Sequence, residues 1–235
     1  MNMKNFLLAI SFCFIAGISF SQTSNCIGSS DADYQARLQA GLIGFEYMNP
    51  VKDYSGTQYF SNWTIGEVFL DDGDSIRDIS LRYDQYLDQL LWLRKSDYRT
   101  GILCKKGITG FRLFNPIFRN EILGSFIKMA IHLPGLDSAN AYVQVLTTGN
   151  ISLYAYRNVN IISTHEYVLN DNTRYIIVAG GYQYPLALRR HSLINLPVVD
   201  KTTMKMILRS SGITISKNEE GLIRAINLYN EKNRK

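Results

Sequence analysis

Alternating apolar and polar positions dominate residues 57–190 and predict a β-rich domain. The segment Thr64–Leu70 alternates and ends at Asp71-Asp72-Gly73-Asp74, where a glycine that tolerates positive φ is typical of a hairpin turn. Further hairpins are predicted at Thr147-Thr148-Gly149-Asn150 and at Gly180-Gly181. Because tight turns join neighbouring strands without long crossovers, the pattern favours antiparallel pairing.

The remaining strands of the predicted sheet follow from similar runs. They cover residues 75–83, 86–93, 108–114, 141–146, 151–156, 174–179 and 182–188. The run from Ile122 to Leu133 fits either a strand or a helix, because apolar residues fill it without a clear period.

Helical spacing replaces alternation near the C-terminus. Asp200 can cap a helix that buries Met204, Ile207 and Leu208, and Gly212 can end it at the C′ position. Ser216-Lys217-Asn218-Glu219 has the form of a capping box and opens a second helix. The fold class predicted is therefore α+β, mainly β: an antiparallel sandwich or barrel-like sheet with two C-terminal helices.

The N-terminus predicts export. Lys4 precedes an uncharged apolar run from Phe6 to Phe20, and small residues then stand at the −3 and −1 positions before Gln22. This run is shorter than the ~20 residues of a transmembrane helix, so a retained anchor is the weaker alternative. A lipoprotein is disfavoured because Cys13 lies inside the run and Cys26 lies beyond a polar segment.

Four segments follow from these patterns. Residues 1–21 are predicted as a signal peptide, and 22–56 as an N-terminal segment with a short helix. Residues 57–190 are predicted as the antiparallel β domain, and 191–235 as a helical tail packed on it. The 15 Tyr and 11 Phe agree with a β-rich chain.

Two cysteines, Cys26 and Cys104, remain after the predicted cleavage. In an oxidising compartment an even pair favours a disulfide, with two unpaired buried thiols as the alternative. The bridge would tie the N-terminal segment to the β domain and contribute ~4 kcal/mol if unstrained.

Charge is distributed unevenly along the chain. Residues 22–173 carry 13 basic and 16 acidic side chains, whereas residues 174–235 carry 11 basic and 4 acidic ones. Arg189, Arg190, Lys205 and Arg209 form a candidate patch for an anionic partner, such as lipid headgroups, lipopolysaccharide or an acidic protein. Solvated helix faces are the plainer explanation, and export argues against nucleic acid.

Two segments carry a resemblance. Gly66-Glu67-Val68-Phe69-Leu70-Asp71-Asp72-Gly73 and then Leu81-Arg82-Tyr83-Asp84-Gln85-Tyr86-Leu87-Asp88 are similar to exported β-rich proteins of unknown function in Bacteroidota. The resemblance implies an exported compartment and this architecture, and no activity. In a strand, Leu81 and Tyr83 would share one face and Arg82 and Asp84 the other. Asp84 is then expected in a structural ion pair, with Arg82 or across to a neighbouring strand.

Catalytic and metal sites find little support in the sequence. His165-Glu166 begins like a zinc-protease helix, but Leu169 stands where the second histidine is required. His132 and His191 are isolated, and no nucleophile elbow or phosphate-binding glycine loop occurs. No catalytic residue, metal ligand or cofactor is predicted.

Two further patterns deserve a hypothesis. Asp74-Ser75-Ile76 and Asp137-Ser138-Ala139 are similar to the short O-glycosylation acceptor pattern of Bacteroidota, and both fall in predicted turns. Trp63 and Trp92 are candidates for a sugar-stacking platform, although aromatic residues at strand spacing more often belong to a core.

The function predicted is a non-catalytic exported accessory protein of the periplasm or the outer-membrane periphery that binds an envelope protein partner. Peripheral contact with a membrane or lipopolysaccharide is compatible with the basic tail. The alternative is a glycan-binding module or hydrolase with two carboxylates ~5–10 Å apart. A small outer-membrane barrel is a third hypothesis, disfavoured by short strands and the charged helical end.

Overall fold

The computed structural model describes residues 44–46, 54–94, 98–161, 167–216 and 218–234. Within these ranges the chain forms fourteen strands and three helices. The strands are β1 (Gly44–Glu46), β2 (Tyr54–Ser55), β3 (Thr64–Leu70), β4 (Ser75–Asp84), β5 (Gln89–Leu93), β6 (Thr100–Leu103), β7 (Ile108–Phe114), β8 (Ile122–Leu133), β9 (Leu136–Thr147), β10 (Ser152–Tyr156), β11 (Val159–Ile161), β12 (Tyr167–Asp171), β13 (Arg174–Ala179) and β14 (Tyr182–Leu186). The helices are α1 (Arg190–Ile194), α2 (Lys201–Ser210) and α3 (Glu219–Lys232).

Eleven of these strands form one sheet in the order β1-β6-β5-β4-β3-β7-β8-β9-β10-β13-β14. Each pairing in this sheet is antiparallel, whereas the small sheet β11-β12-β2 contains a parallel pair between β12 and β2. The predicted α+β, mainly β, antiparallel fold is therefore confirmed. α2 and α3 correspond to the two expected C-terminal helices, and α1 is an additional short helix.

The predicted hairpin turns are present. Gly73, between β3 and β4, has φ +93°, and Leu70 donates its backbone N–H to the carbonyl of Asp74. Gly180 and Gly181, between β13 and β14, also have positive φ values, which a residue with a Cβ rarely adopts. The ambiguous run from Ile122 is the strand β8, one of the two longest strands in the described part of the chain.

An aromatic core fills the half of the sheet built from β3 to β9. Leu81 and Tyr83 are fully buried on one face of β4, as the alternation predicted. The ring of Phe126 packs between three others: it stacks on Phe111 with centroids 4.6 Å apart and also contacts Tyr83 and Phe60. Such ring pairs stabilise a fold beyond the burial of their area.

The three helices cover the other half of the large sheet. The residues buried at this contact come from the helices and from the sheet. They are Met204, Ile207 and Leu208 of α2, Leu222, Ala225, Ile226 and Tyr229 of α3, and Ile151, Leu153, Ile177 and Ala179 of the sheet. The apolar faces of α2 and α3 therefore both contribute to the same hydrophobic cluster. Ile176, next to Ile177, faces a separate cluster with Ile131 and Val143, because successive strand residues point to opposite faces.

The helix ends follow local hydrogen bonding. The Asp200 carboxylate accepts from the backbone N–H of Thr203 at 2.7 Å, and Gly212 has φ +61° after α2, as predicted. The capping box predicted from Ser216 is wrong. Asn218 is the N-cap of α3, because its side-chain oxygen accepts from the N–H of Gly221, which leaves Glu219 inside the helix.

Asparagines pin α3 to the β9–β10 hairpin. Asn230 is buried, and its carboxamide both donates to the carbonyl of Ile151 at 2.8 Å and accepts from the Ile151 N–H at 3.0 Å. Asn227 accepts from the hydroxyl of Thr147, and Asn150 donates to the carbonyl of Asn233. The helix therefore satisfies backbone groups at the hairpin that strand pairing leaves open.

Gln183 links the last strand back to β8. Its amide donates to the carbonyl of Ala130 at 2.7 Å and accepts from the N–H of His132 at 3.1 Å. These two residues lie beyond Ile127, the last residue of β8 that pairs with β7. The sheet therefore curls until β14 lies beside the far end of β8.

Candidate functional site

An exposed apolar tip is the most unusual surface in the described part of the chain. The loop between β7 and β8 and the start of β8 expose Ile117 (78%), Phe118 (59%), Ile122 (54%) and Leu123 (38%). We call these four residues the β7–β8 tip. Contiguous exposed apolar groups of this kind mark sites of interaction, whereas isolated ones do not.

The backbone of the tip is held in one conformation by Asn115. Its side-chain oxygen accepts from the N–H groups of Ile117 at 2.9 Å and Phe118 at 3.2 Å, and its amide nitrogen donates to the Glu121 carboxylate. Glu121 closes the turn by donating its N–H to the carbonyl of Phe118 at 2.8 Å. The apolar side chains are therefore presented outward by a preorganised loop, which lowers the entropy lost on binding.

The base of the tip is packed tightly against the aromatic core. A Cβ added at Gly124 would lie 2.8 Å from the Phe126 ring and 3.0 Å from that of Phe60. Thr64, at the start of β3, donates its hydroxyl to the carbonyl of Phe114. These contacts fix the tip to the sheet.

The candidate basic patch divides into two parts. Arg189 and Arg190 are exposed at the start of α1, whereas Lys205 and Arg209 lie one turn apart on the exposed face of α2. Only the α2 pair lines a surface cavity, which has a volume of about 550 Å³ and is completed by Thr202, Met206 and Ser210. The sequence grouped all four residues as one candidate patch, whereas the structure places the arginine pair and the α2 pair on different helices.

A second surface cavity, of about 440 Å³, lies where α3 meets the β9–β10 hairpin. Its lining comprises Asn150, Ile151, Ala179, Val198, Tyr229 and Asn233. No carboxylate lines either of these two cavities. Neither of these two cavities therefore holds the pair of carboxylates that a glycan hydrolase requires, and the glycan hypothesis stays a prediction.

The two tryptophans have structural neighbours. Trp92 packs against the aromatic core, and its indole nitrogen would lie 2.3 Å from a Cβ added at Gly101. Trp63 and Tyr59 flank Arg82, whose guanidinium carbon is 5.5 Å and 3.8 Å from the two ring centroids. These cation–π contacts take up a ring face that a sugar would require.

Asp84 has a structural role. Its side chain is fully buried, although the alternation predicted that it shares a face with Arg82. Its carboxylate accepts hydrogen bonds from the Gln58 amide and from the backbone N–H groups of Tyr86 and Leu87. Arg82 lies instead over the two aromatic rings. Asp84 thus fixes the turn between β4 and β5 by accepting backbone N–H groups.

A half-buried ion pair joins that turn to the loop after β6. Asp88 accepts from Lys105 Nζ at 2.6 Å and from the Tyr83 hydroxyl at 2.8 Å. Burial raises the pKa of Asp88 and lowers the pKa of Lys105, and the attraction between the two charges opposes both shifts. Burial also raises the pKa of Tyr142, whose backbone N–H reaches the Asp88 carboxylate. Asp88, Lys105, Tyr83 and Tyr142 are therefore joined by hydrogen bonds within the fold.

Another ion pair connects α3 to the sheet. Arg157 donates to the Glu219 carboxylate at 2.8 Å, and Tyr175 donates its hydroxyl to the same carboxylate at 2.8 Å. Burial, with the hydrogen bond to Glu219, raises the pKa of Tyr175 to about 12. Glu219 is therefore a docking residue at the N-terminus of its helix.

The predicted O-glycosylation residues lie on strands beside turns, not within turns. Ser75 is the first residue of β4, because the hairpin turn ends at Asp74, and its hydroxyl donates to Glu67 Oε1 at 2.9 Å. Ser138 lies in β9, next to the turn at Gly135. Modification of either serine stays a prediction.

Several sequence predictions fall outside the described residues. These are the signal peptide, the short N-terminal helix, His165 and Cys26. The disulfide between Cys26 and Cys104 therefore stays a prediction. The His132 Nδ1 atom lies 2.8 Å from Asp137 Oδ1, and the His191 Nε2 atom lies 2.8 Å from Asn195 Nδ2.

Within the ranges that the structure covers, no group of three or more His, Cys, Asp or Glu side chains is arranged to hold a metal ion. None of the helices in those ranges is long and apolar enough to cross a membrane. No family model matches the chain, and no curated protein or solved structure is significantly similar to it.

Proposed function

We propose that this protein is a non-catalytic, exported accessory protein of the cell envelope that binds a partner protein through the β7–β8 tip. The observation that carries the proposal is the exposure of four large apolar side chains, two on the loop between β7 and β8 and two at the start of β8. Burial of such side chains at an interface releases ~1.5–3 kcal/mol for each one that is fully covered. A compact tip with an aromatic centre is typical of the anchor residues of interfaces.

The chemistry of the tip favours a protein over a bilayer. Glu121 is exposed between Phe118 and Ile122, and Asn120 and Arg119 lie beside it. A carboxylate that enters the apolar part of a bilayer is strongly unfavourable. A protein pocket can instead receive Phe118 and Ile122 and pair the polar groups at its rim.

Export supports the compartment of this proposal. The signal-like N-terminus and the resemblance to exported proteins of Bacteroidota support a location in the periplasm or at the outer-membrane periphery. This compartment would allow the disulfide between Cys26 and Cys104, which we retain as part of the proposal. The buried carboxylates of Asp84 and Glu67 and the half-buried carboxylate of Asp88 all have partners within the fold, which supports a non-catalytic role.

Gentle crosslinking and affinity purification from the native envelope, with mass spectrometry, test the proposal. The wild-type protein is expected to capture a discrete partner, and the double variant Phe118→Ser/Ile122→Ser is expected to lose it. Tyr182→Ser is the matched control, because Tyr182 is 70% exposed on a different hairpin. Retention of the partner by the double variant, or equal loss in the control, would contradict a role for the tip.

A further inference from the structure

The exposed face of α2 carries positive charge at every fourth residue. Lys201, Lys205 and Arg209 are all exposed, and this spacing places them on one side of the helix. Across the part of the chain that the structure describes, none of the three takes part in an ion pair. The nearest acidic group in sequence, Asp200, is engaged as the N-cap.

The cavity on this face combines cations, hydroxyls and one apolar group. Lys205 and Arg209 line it together with the hydroxyl residues Thr202 and Ser210. A guanidinium can donate two parallel hydrogen bonds to a phosphate, and an ammonium adds a point charge. The Thr202 hydroxyl supplies a further donor, whereas the Ser210 hydroxyl already donates to the carbonyl of Ile207 at 3.2 Å. The polar part of the lining therefore matches a phosphate group.

Met206 distinguishes this surface from a simple phosphate site. Its side chain is 47% exposed between the cations, and Lys232 Nζ from α3 approaches its sulfur at 3.8 Å. A thioether adds nothing to the binding of an inorganic ion, but it adapts to apolar ligands. The stems of Lys205 and Arg209 extend the apolar strip beside it.

We propose that the α2 face binds the phosphate headgroups of an anionic lipid layer, with Met206 at the boundary between headgroups and acyl chains. The opposite face of α2 is buried through Met204, Ile207 and Leu208, so the helix cannot sink into the bilayer. The contact is therefore peripheral and dominated by charge, which makes it sensitive to salt. It uses a surface distinct from the β7–β8 tip and does not depend on the protein partner.

Cosedimentation with lipid vesicles tests this inference, with the protein from which the predicted signal peptide has been removed. Binding is expected to vesicles that mix phosphatidylglycerol with phosphatidylcholine, and not to phosphatidylcholine alone. Because each basic residue near an anionic surface strengthens binding about fivefold, Lys205→Glu/Arg209→Glu is expected to weaken it by at least about tenfold. Raising the salt concentration is also expected to weaken the binding of the wild-type protein to anionic vesicles.

The matched control is Arg189→Glu/Arg190→Glu, which changes net charge equally at two exposed residues that do not line the cavity. It is expected to retain most of the binding. Met206→Ser is expected to weaken binding to vesicles and to leave any binding of inorganic phosphate unchanged. Unchanged thermal midpoints of the variants check that α2 stays folded.

Three results would overturn the inference. One is equal binding to both vesicle types, which would remove the role of net negative charge, because phosphatidylcholine also carries a phosphate but is neutral overall. Another is equal loss in the two double variants, which would assign binding to net charge and not to the α2 face. The third is binding of inorganic phosphate with no binding to anionic vesicles, which would make the site one for a free anion.

Discussion

The two halves of the large sheet are closed by different means. The half from β3 to β9 packs its own aromatic rings together, and the half-buried Asp88–Lys105 ion pair lies beside them, with Asp88 bonded to the Tyr83 hydroxyl. The other half recruits three helices, and Asn230 fastens one of them by pairing with backbone groups of Ile151. A single antiparallel sheet can thus combine a self-contained core with a core that depends on directional hydrogen bonds.

This difference also separates the two proposed surfaces. The β7–β8 tip grows from the aromatic half, where Gly124 packs against Phe60 and Phe126. The basic α2 face belongs to the helical half, whose stability rests on docking. We therefore expect changes in the aromatic half to affect the whole fold, and changes at the asparagine contacts to affect mainly the helices.

The largest effect is expected from Phe126→Ala in the aromatic half. Phe126 is fully buried and contacts three other rings, so its removal leaves a cavity and is expected to lower the free energy of unfolding by ~3–5 kcal/mol. Chemical denaturation measures this. Phe118→Ala is the control, because exposed Phe118 is expected to contribute within ~0.5 kcal/mol. Equal losses would contradict the role of the ring cluster.

A smaller effect is expected from Asn230→Ala in the helical half. The substitution leaves the buried N–H and carbonyl of Ile151 without their partner and is expected to destabilise the protein by ~2 kcal/mol. Hydrogen exchange is expected to increase in α3 while the β4 amides stay protected. Arg224→Ala, at an exposed position of the same helix, is the matched control. Equally increased exchange in β4 would show that the two halves unfold as one unit.

The smallest effect is expected from pH at the cap of α2. Hydrogen bonds from Thr203 hold the pKa of Asp200 below its ordinary value of 3.8. Because the folded-state pKa is lowered, this stabilisation is present above pH 3.8 and is lost as the pH falls through the folded-state value. Asp200→Asn keeps an acceptor that does not titrate. Urea unfolding of both proteins should therefore show a difference that changes only on acidification, and a constant difference would contradict the assignment.

Local patterns were sufficient for most strands of the large sheet, for the hairpins and for the buried faces of α2 and α3, whereas the short strands β6, β11 and β12 were not predicted. Alternation placed Leu81 and Tyr83 on a buried face, and helical spacing placed Met204, Ile207 and Leu208 on the buried face of α2. These features depend on the backbone of one element or one turn. They can be read without knowledge of which strands become neighbours.

Contacts between distant segments were not accessible in this way. Gln58 meets Asp84, and Asn230 meets Ile151, only after the sheet order and helix docking are set. The β7–β8 tip left a partial signal, because Ile117, Phe118, Ile122 and Leu123 cluster around a turn. Apolar residues at strand ends are usually buried, so exposure became visible only in three dimensions.

The carboxamide of Gln183 has a consequence for how copies of this protein meet. Beyond Ile127, β8 has no pairing with β7, and an open stretch of strand is a template on which another chain can add itself. Gln183 occupies the Ala130 carbonyl and the His132 N–H, two groups that an incoming strand would need. This one side chain therefore leaves fewer groups of β8 open to pairing with another copy of the chain.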